Sequence, residues 1–213
     1  PASGGKPRHA HFMGNVGIAH AVYLAASDLG VRRIVYLSSE QANGFTSART
    51  APARFPFDES VTIPPRTAYA MSKLMGETML DSFTAIHPEL SAVSLRVNAA
   101  HRPEDPDKML GWLRRAAEWP NPHFWAWVDP EDVASAVRLA LEASISGHRV
   151  YNLAAPDIKS FVPLRELVAR HFPAVEVDPG LGEFGSPVDT SRIRDELGWT
   201  AKIDWRPADV AVV

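Results

Sequence analysis

Two side chains suited to proton transfer lie four residues apart in the segment Tyr69-Ala-Met-Ser-Lys73. On a helix this spacing places both side chains on one face. A nearby ammonium group favours the phenolate form of a tyrosine, so we expect Lys73 to lower the pKa of Tyr69. A tyrosine tuned in this way can exchange a proton with a substrate hydroxyl near neutral pH. The spacing alone also occurs in ordinary exposed pairs on helix surfaces.

A pair of serines, Ser38 and Ser39, directly follows the apolar run at 34–37. Such a run is typical of a strand that is buried on both faces of a parallel sheet. Ligands of open parallel sheets bind beyond the carboxyl ends of the strands, so a hydroxyl at Ser39 can reach a substrate oxygen and assist Tyr69. A turn or a helix cap is the alternative use of such a pair.

Apolar periodicity and turn residues predict the elements that position these groups. Helices are predicted over 15–29, 67–86, 108–119, 130–143, 163–171 and 190–197, and strands over 34–37, 92–97, 125–128, 150–153 and 175–177. Thr67 and Asp129 are predicted N-caps, with Pro130 at the first helical position. Residues 1–13 and 40–66 are predicted loops. The alternation of strands and helices favours an α/β fold in which helices cover both faces of a parallel sheet.

The composition narrows the classes of function. A chain of 213 residues with 46% hydrophobic residues can bury a sizeable core, and its net charge of −3 comes with no basic block. Nucleic acid and anionic membranes are therefore not expected partners. The lack of cysteine excludes a disulfide framework, a thiolate zinc site and a cysteine nucleophile. With no signal-peptide pattern and no apolar run of about 18 residues, a cytoplasmic location is expected.

No metal site is predicted. His9 and His11 have the spacing of a ligand pair, but no third ligand follows at a fitting distance, and a polar loop is the preferred interpretation.

Five segments occur in an order that points to a known family. They are GVRRIVYLSS at 30–39, YAMSKLMGE at 69–77, WVDPEDVA at 127–134, YNL at 151–153 and DTSRIRDELGW at 189–199. Together they resemble the extended short-chain dehydrogenase/reductase family, the NAD-dependent epimerase/dehydratase group. The resemblance implies that Tyr69 is the general acid/base, that Lys73 binds the nicotinamide ribose and that Ser39 orients the substrate. Hydride would pass between a substrate carbon and C4 of the nicotinamide.

The resemblance also implies ligands and partners. The cofactor would be NAD or NADP, with NAD favoured, and the substrate a sugar, a sugar acid or a similar small hydroxy or carbonyl compound. A homodimer would form through the helices at 15–29 and 67–86. The implied cofactor contacts are Ser38, Tyr69, Lys73 and Val97, and the implied substrate contacts are Ser39, Asn98 and Arg102. An alternative register places Ala99 where Asn98 is expected.

One part of the family pattern has no match. Family members begin with a strand and a Gly-x-x-Gly-x-x-Gly turn that holds the cofactor pyrophosphate at a helix N-terminus, and the chain has no such turn. The expected fold is a partial Rossmann-type doubly wound sheet that lacks the first βαβαβ segment, on the order of 60 residues. The chain starts at Pro1 without Met, so an N-terminally truncated member that binds dinucleotide poorly is expected. A non-catalytic relative with a binding or regulatory role is the alternative.

The expected domains are discontinuous. Residues 1–98 and 124–153 would form the partial dinucleotide-binding core, and residues 99–123 and 154–213 a small substrate-binding region.

Several further side chains are expected near the cleft. An arginine there can pair with a substrate carboxylate, although an exposed surface charge is the alternative for each basic residue. Tryptophans can line a sugar site, although packing is the preferred role for most of them. The basic residues are Arg96, His101, Arg102 and His123, and the tryptophans are Trp112, Trp119, Trp125 and Trp127.

Overall fold

A computed structural model describes residues 8–45, 50–102, 113 and 118–206. The predicted helix at 108–119 lies mostly outside them, as does Trp112. The described helices are α1 (Arg8–Asp28), α2 (Ala68–Ile86), α3 (Pro130–Glu142), α4 (Leu164–His171) and α5 (Ser191–Leu197), with a short 3-10 helix at Glu40–Asn43. The strands are β1 (Arg33–Leu37), β2 (Arg54–Phe55), β3 (Ser91–Val97), β4 (Ala99–Ala100), β5 (Trp127–Val128), β6 (Gly147–Leu153) and β7 (Glu176–Val177).

The main sheet is parallel and has the order β1-β3-β6, with Val35 opposite Val93 and Val93 opposite Arg149. This confirms the predicted α/β class. β1 was expected to be buried on both faces, but Leu37 is 47% exposed and the strand is only partly covered. The physical reason is its position, because within the described residues β1 has a strand neighbour on one side only.

Helices cover both faces of the sheet, as predicted. Side chains of a strand alternate between faces, and in β3 Ala92 packs with Tyr23 of α1 and Leu80 of α2. The next residue, Val93, packs on the opposite face with Ala136 of α3.

The two predicted helix N-caps are confirmed. The Thr67 side chain accepts a hydrogen bond from the Ala70 amide at 3.1 Å, and the Asp129 carboxylate accepts one from the Glu131 amide at 2.7 Å. Pro130 occupies the first turn of α3. These caps satisfy amide groups that have no partner inside the helix.

The predicted loop at 1–13 is wrong for residues 8–13, because α1 begins at Arg8. Glycines at 14 and 17 interrupt the apolar pattern, so periodicity placed the start too late. Contacts with α2 support the early turns, since the Asn15 side chain donates to the Ser72 hydroxyl at 3.0 Å. His9 and His11 therefore lie on a helix, and no group of three metal-ligating side chains occurs among the described residues.

The predicted loop at 40–66 contains the 3-10 helix and β2. β2 pairs with β7, so this segment packs against the C-terminal part of the chain. Around this pairing lies an aromatic cluster of five phenylalanines: Phe45, Phe55, Phe57, Phe124 and Phe172. The division into a cofactor domain and a substrate region stays a prediction.

A series of hydrogen bonds connects α2 to the central sheet at Asp81, in the second half of the helix. His148 of β6 lies with Nε2 2.8 Å from the Ser94 hydroxyl and with Nδ1 2.8 Å from the Asp81 carboxylate. Ser94 is completely buried in β3, whereas Asp81 lies on the outer surface of α2.

Among the described residues, no helix combines the length and the apolar character that a bilayer crossing requires.

Close packing of α2 on β1 depends on Gly76. A Cβ atom at this position would lie 2.5 Å from the Tyr36 hydroxyl oxygen and 2.6 Å from its Cζ. We expect Gly76→Ala to lower the free energy of unfolding by about 1–3 kcal/mol, because the ring must move. Urea unfolding measures the change.

Gly17→Ala is the matched control, since a Cβ at this helical glycine meets nothing within 4 Å. It should stabilise the chain by about 0.5–1 kcal/mol through the better helix propensity of alanine. Equal effects of the two substitutions would contradict the packing argument.

Candidate active site

Ser38 and Ser39 follow the last residue of β1, at the carboxyl end of the strand, as the sequence predicted. The Ser39 hydroxyl accepts a hydrogen bond from the Gln41 amide at 3.2 Å and so caps the 3-10 helix. It also donates to Oε2 of Glu40 at 2.9 Å. Ser39 is thus both a cap and a buried polar group at the sheet edge.

Tyr69 and Lys73 lie on the first two turns of α2, which starts beside this strand end. Nζ of Lys73 donates to the Leu37 carbonyl at 2.7 Å and lies 5.7 Å from the centre of the Tyr69 ring. It also lies 5.0 Å from the centre of the Tyr36 ring. The lysine therefore connects the helix to the end of β1 and holds its charge close to both phenol rings.

The pKa of Tyr69 is raised rather than lowered, which corrects the expectation. Burial is the largest cause, a hydrogen bond with Ser39 opposes it, and the charge of Glu40 adds to it. Burial also lowers the pKa of Lys73, with Glu77 opposing that shift. The spacing correctly predicted that Lys73 lies beside Tyr69 on α2. It could not predict that the Tyr69 phenol is buried, and burial determines the direction of the pKa shift.

Ser38 belongs to a buried ionic network. Its hydroxyl donates to Oε1 of Glu77 at 2.6 Å. Arg96 of β3 binds the same carboxylate with two nitrogens, Nε at 3.1 Å and Nη2 at 2.9 Å. The two ionic side chains are 5% and 4% exposed. Arg96 is thus neither a surface charge nor free to bind a substrate carboxylate, which corrects both sequence interpretations.

Asn98 lies just beyond β3, and its side-chain amide donates to the Leu153 carbonyl at 3.2 Å. This bond ties the carboxyl ends of β3 and β6 together. Val97 is the last residue of β3, and Arg102 is exposed two residues after β4. The ligand contacts assigned to these three residues stay predictions.

Glu40 was not identified from the sequence, although an acidic residue directly after Ser39 was a usable signal. Its Oε1 lies 2.6 Å from Nδ1 of His123, so one carboxylate connects the serine to a histidine. Burial lowers the pKa of His123, but the close contact with the Glu40 carboxylate and its charge outweigh burial, and the pKa is raised.

His11 is a second residue that the sequence did not place here. Its ring stacks on that of Tyr69, with centres 5.9 Å apart and planes 23° apart.

The tryptophans divide between two environments. Trp125 and Trp127 are completely buried, which agrees with the preferred packing role. Trp119 is 68% exposed, so it is not one of the packed tryptophans.

The arrangement can perform proton transfer. A phenol, a hydroxyl and an ammonium group meet where a parallel strand ends, the place at which ligands of such sheets bind. The phenol can give a proton to a substrate oxygen or take one from it.

The chain belongs to the NAD dependent epimerase/dehydratase family, whose profile matches residues 4–154. No curated protein matches the sequence.

Solved structures show the same fold. A short-chain dehydrogenase/reductase superfamily protein from Agrobacterium tumefaciens with bound NAD has a TM-score of 0.65 at 20% identity, over 96% of this chain and 73% of that one. UDP-N-acetylglucosamine 4-epimerase from Bacillus cereus has a TM-score of 0.64 at 17% identity, over 96% and 71% of the two chains. RMD from Pseudomonas aeruginosa, complexed with NADPH, has a TM-score of 0.62 at 20% identity, over 91% and 70%.

The structural assignment of Arg96 can be tested by removing its charge. Arg96→Met leaves the buried Glu77 carboxylate without its cation, which should lower the free energy of unfolding by about 3–5 kcal/mol. Urea unfolding followed by circular dichroism measures this loss.

Arg138→Met is the control, because the pair of Arg138 with Glu142 is exposed. Its effect should stay within about 0.5 kcal/mol. A comparably small loss for Arg96→Met would contradict the assignment.

Proposed function

We propose that the protein is an NAD(P)-dependent oxidoreductase or epimerase that acts on a sugar, a sugar acid or a similar small hydroxy or carbonyl compound. One observation carries the proposal: Ser39, Tyr69 and Lys73 converge at the carboxyl end of β1 in a member of this family. Bound nicotinamide would supply the hydride chemistry, and the chain would supply proton transfer and orientation.

Tyr69 acts as the general acid and base. Its raised pKa keeps the phenol protonated at neutral pH, so it can donate that proton to a substrate carbonyl oxygen as hydride reaches the carbon. In the opposite direction the phenolate takes the proton of a substrate hydroxyl. Ser39 holds the same substrate oxygen and keeps it within reach of Tyr69.

Lys73 fits a role in cofactor binding. Among the described residues the Leu37 carbonyl is its one hydrogen-bond acceptor, and an ammonium group has three donors. The remaining donors can hold a ribose diol beside Tyr69. Ser38 and Val97 complete the proposed cofactor contacts, and Asn98 with Arg102 the proposed substrate contacts.

The cofactor is NAD or NADP, with NAD favoured by the family. NAD and NADPH are each bound in solved structures of similar fold.

Tyr69→Phe tests the catalytic assignment. We expect turnover in the protein that contains this sequence to fall by about 10²- to 10⁴-fold, because the proton donor is lost. Turnover is followed with a panel of sugars, sugar acids and nucleotide sugars, by the absorbance of reduced nicotinamide for net oxidation or reduction and by chromatography of the products for epimerisation. Calorimetric binding of NAD should change little.

Tyr151→Phe is the control, since the Tyr151 hydroxyl donates to Glu196 of α5 rather than to a group of the candidate site. Full turnover in Tyr69→Phe would overturn the assignment. An inactive wild-type protein that still binds NAD would instead support the non-catalytic alternative.

A homodimer through α1 and α2 is the proposed assembly. Each helix exposes large apolar side chains, and a second copy offers a matching surface. The exposed large side chains include Ile18 and Val22 of α1, Leu29 directly after α1, and Met71, Met75 and Ile86 of α2.

The double substitution Ile18→Glu with Met75→Glu should convert this dimer to a monomer, because it would bury charges at the contact. Sedimentation velocity measures the mass. Leu141→Glu, at an exposed leucine of α3, should leave the dimer intact. A wild-type chain that sediments as a monomer would contradict the proposal.

A further inference from the structure

Glu40 is placed between the candidate catalytic serine and a histidine. One carboxylate oxygen accepts the Ser39 hydroxyl at 2.9 Å, and the other lies 2.6 Å from Nδ1 of His123. The Glu40 side chain is only 11% exposed, while that of His123 is 30% exposed. His123 can therefore exchange a proton with solvent. Glu40 then transmits the change in charge to the buried Ser39 hydroxyl.

The backbone that holds His123 in place is strained. The two residues that follow, Phe124 and Trp125, have φ angles of 53° and 62°, in the left-handed region that bulky side chains rarely adopt. Both rings are buried, and Phe124 packs with its ring centre 5.0 Å from that of Phe55. The aromatic cluster thus holds the turn that presents His123 to Glu40.

We propose that Glu40 and His123 are positioning residues that set the direction in which the Ser39 hydroxyl donates, so that protonation of His123 controls proton exchange at Tyr69. The inference deepens the proposed function and rests on it, since it concerns the same serine and tyrosine. Neither residue is required to touch the substrate.

The physical basis is competition for one hydroxyl hydrogen. Ser39 has a single O–H, and a charged Glu40 carboxylate holds it. When His123 is protonated, its charge offsets that of Glu40, and the hydroxyl is freer to turn towards Tyr69 or a substrate oxygen. When His123 is neutral, the uncompensated carboxylate keeps the hydroxyl and disfavours the Tyr69 phenolate, consistent with the Glu40 charge raising the Tyr69 pKa.

Other ionisable groups face this network from neighbouring elements. Their charges set the baseline for the coupling but do not join Ser39 to His123. His123 and Lys159 both act on His101, which lies beyond β4. Around Tyr69 lie His11 of α1, Lys73 of α2 and Tyr36 of β1, and Glu77 acts on Lys73 and Tyr36.

The test follows single side chains by NMR, without substrate or cofactor. The full chain is labelled with ¹³C at tyrosine Cζ and at histidine Cε1, with Tyr69→Phe and His123→Asn used to assign the signals. In the wild type, the Tyr69 signal should shift in a step whose midpoint coincides with the titration of His123, well below the ionisation of Tyr69 itself.

Two variants should remove the step. In Glu40→Gln the His123 midpoint should also fall by about 1 pH unit, a tenfold loss of proton affinity, because the carboxylate charge is gone. In His123→Asn a neutral donor remains beside Glu40, so the network keeps its shape but loses its titration.

His87→Asn is the matched control. His87 lies near Glu89 at the far end of α2, so the step should persist in this variant. A wild-type Tyr69 signal without a step at the His123 midpoint, or a step that survives in Glu40→Gln, would overturn the inference. Failure of the proposed function would instead appear as full turnover in Tyr69→Phe, which this titration does not measure.

Discussion

The pairing of the Glu77 carboxylate is the constraint on which the site depends. A carboxylate removed from water must be matched by charge and hydrogen bonds. Glu77 obtains them from Arg96 of β3 and from Ser38 at the end of β1. Arg96 also donates to the Glu59 carbonyl, in the loop before α2, at 3.1 Å. One helix residue thereby fixes α2 against two strands and sets the position of Tyr69, two turns earlier in the helix.

The polar part of the site is built from two separate packing units. Ser39, Tyr69 and Lys73 are positioned by α2 and β1, whereas His123 is positioned by the aromatic cluster that joins the segment after the 3-10 helix to the C-terminal part of the chain. Glu40 touches both units. A change in the packing of the aromatic cluster would therefore reach the candidate site through this carboxylate.

Local patterns in the sequence predicted much of the fold. The caps at Thr67 and Asp129 follow from side-chain chemistry within a few residues, and the alternation of strands and helices determined the class. The sequence also predicted that Tyr69 and Lys73 share one helix face and that Ser39 follows the end of a strand. What failed depended on burial and on distant partners: the ion pair of Arg96, the contact of Glu40 with His123 and the direction of the Tyr69 pKa. The start of α1 failed because contacts with α2, rather than periodicity, support its first turns.

The chain of Asp81, His148 and Ser94 has the order and the spacing of the acid, base and nucleophile in a serine hydrolase. It lacks what makes such a set reactive, because Ser94 lies inside the central strand, where no acyl group can approach its hydroxyl. A search of structures by triad geometry alone would select these residues and pass over Tyr69. Because no substrate can reach the Ser94 hydroxyl, the three residues stabilise the sheet and do not catalyse a reaction.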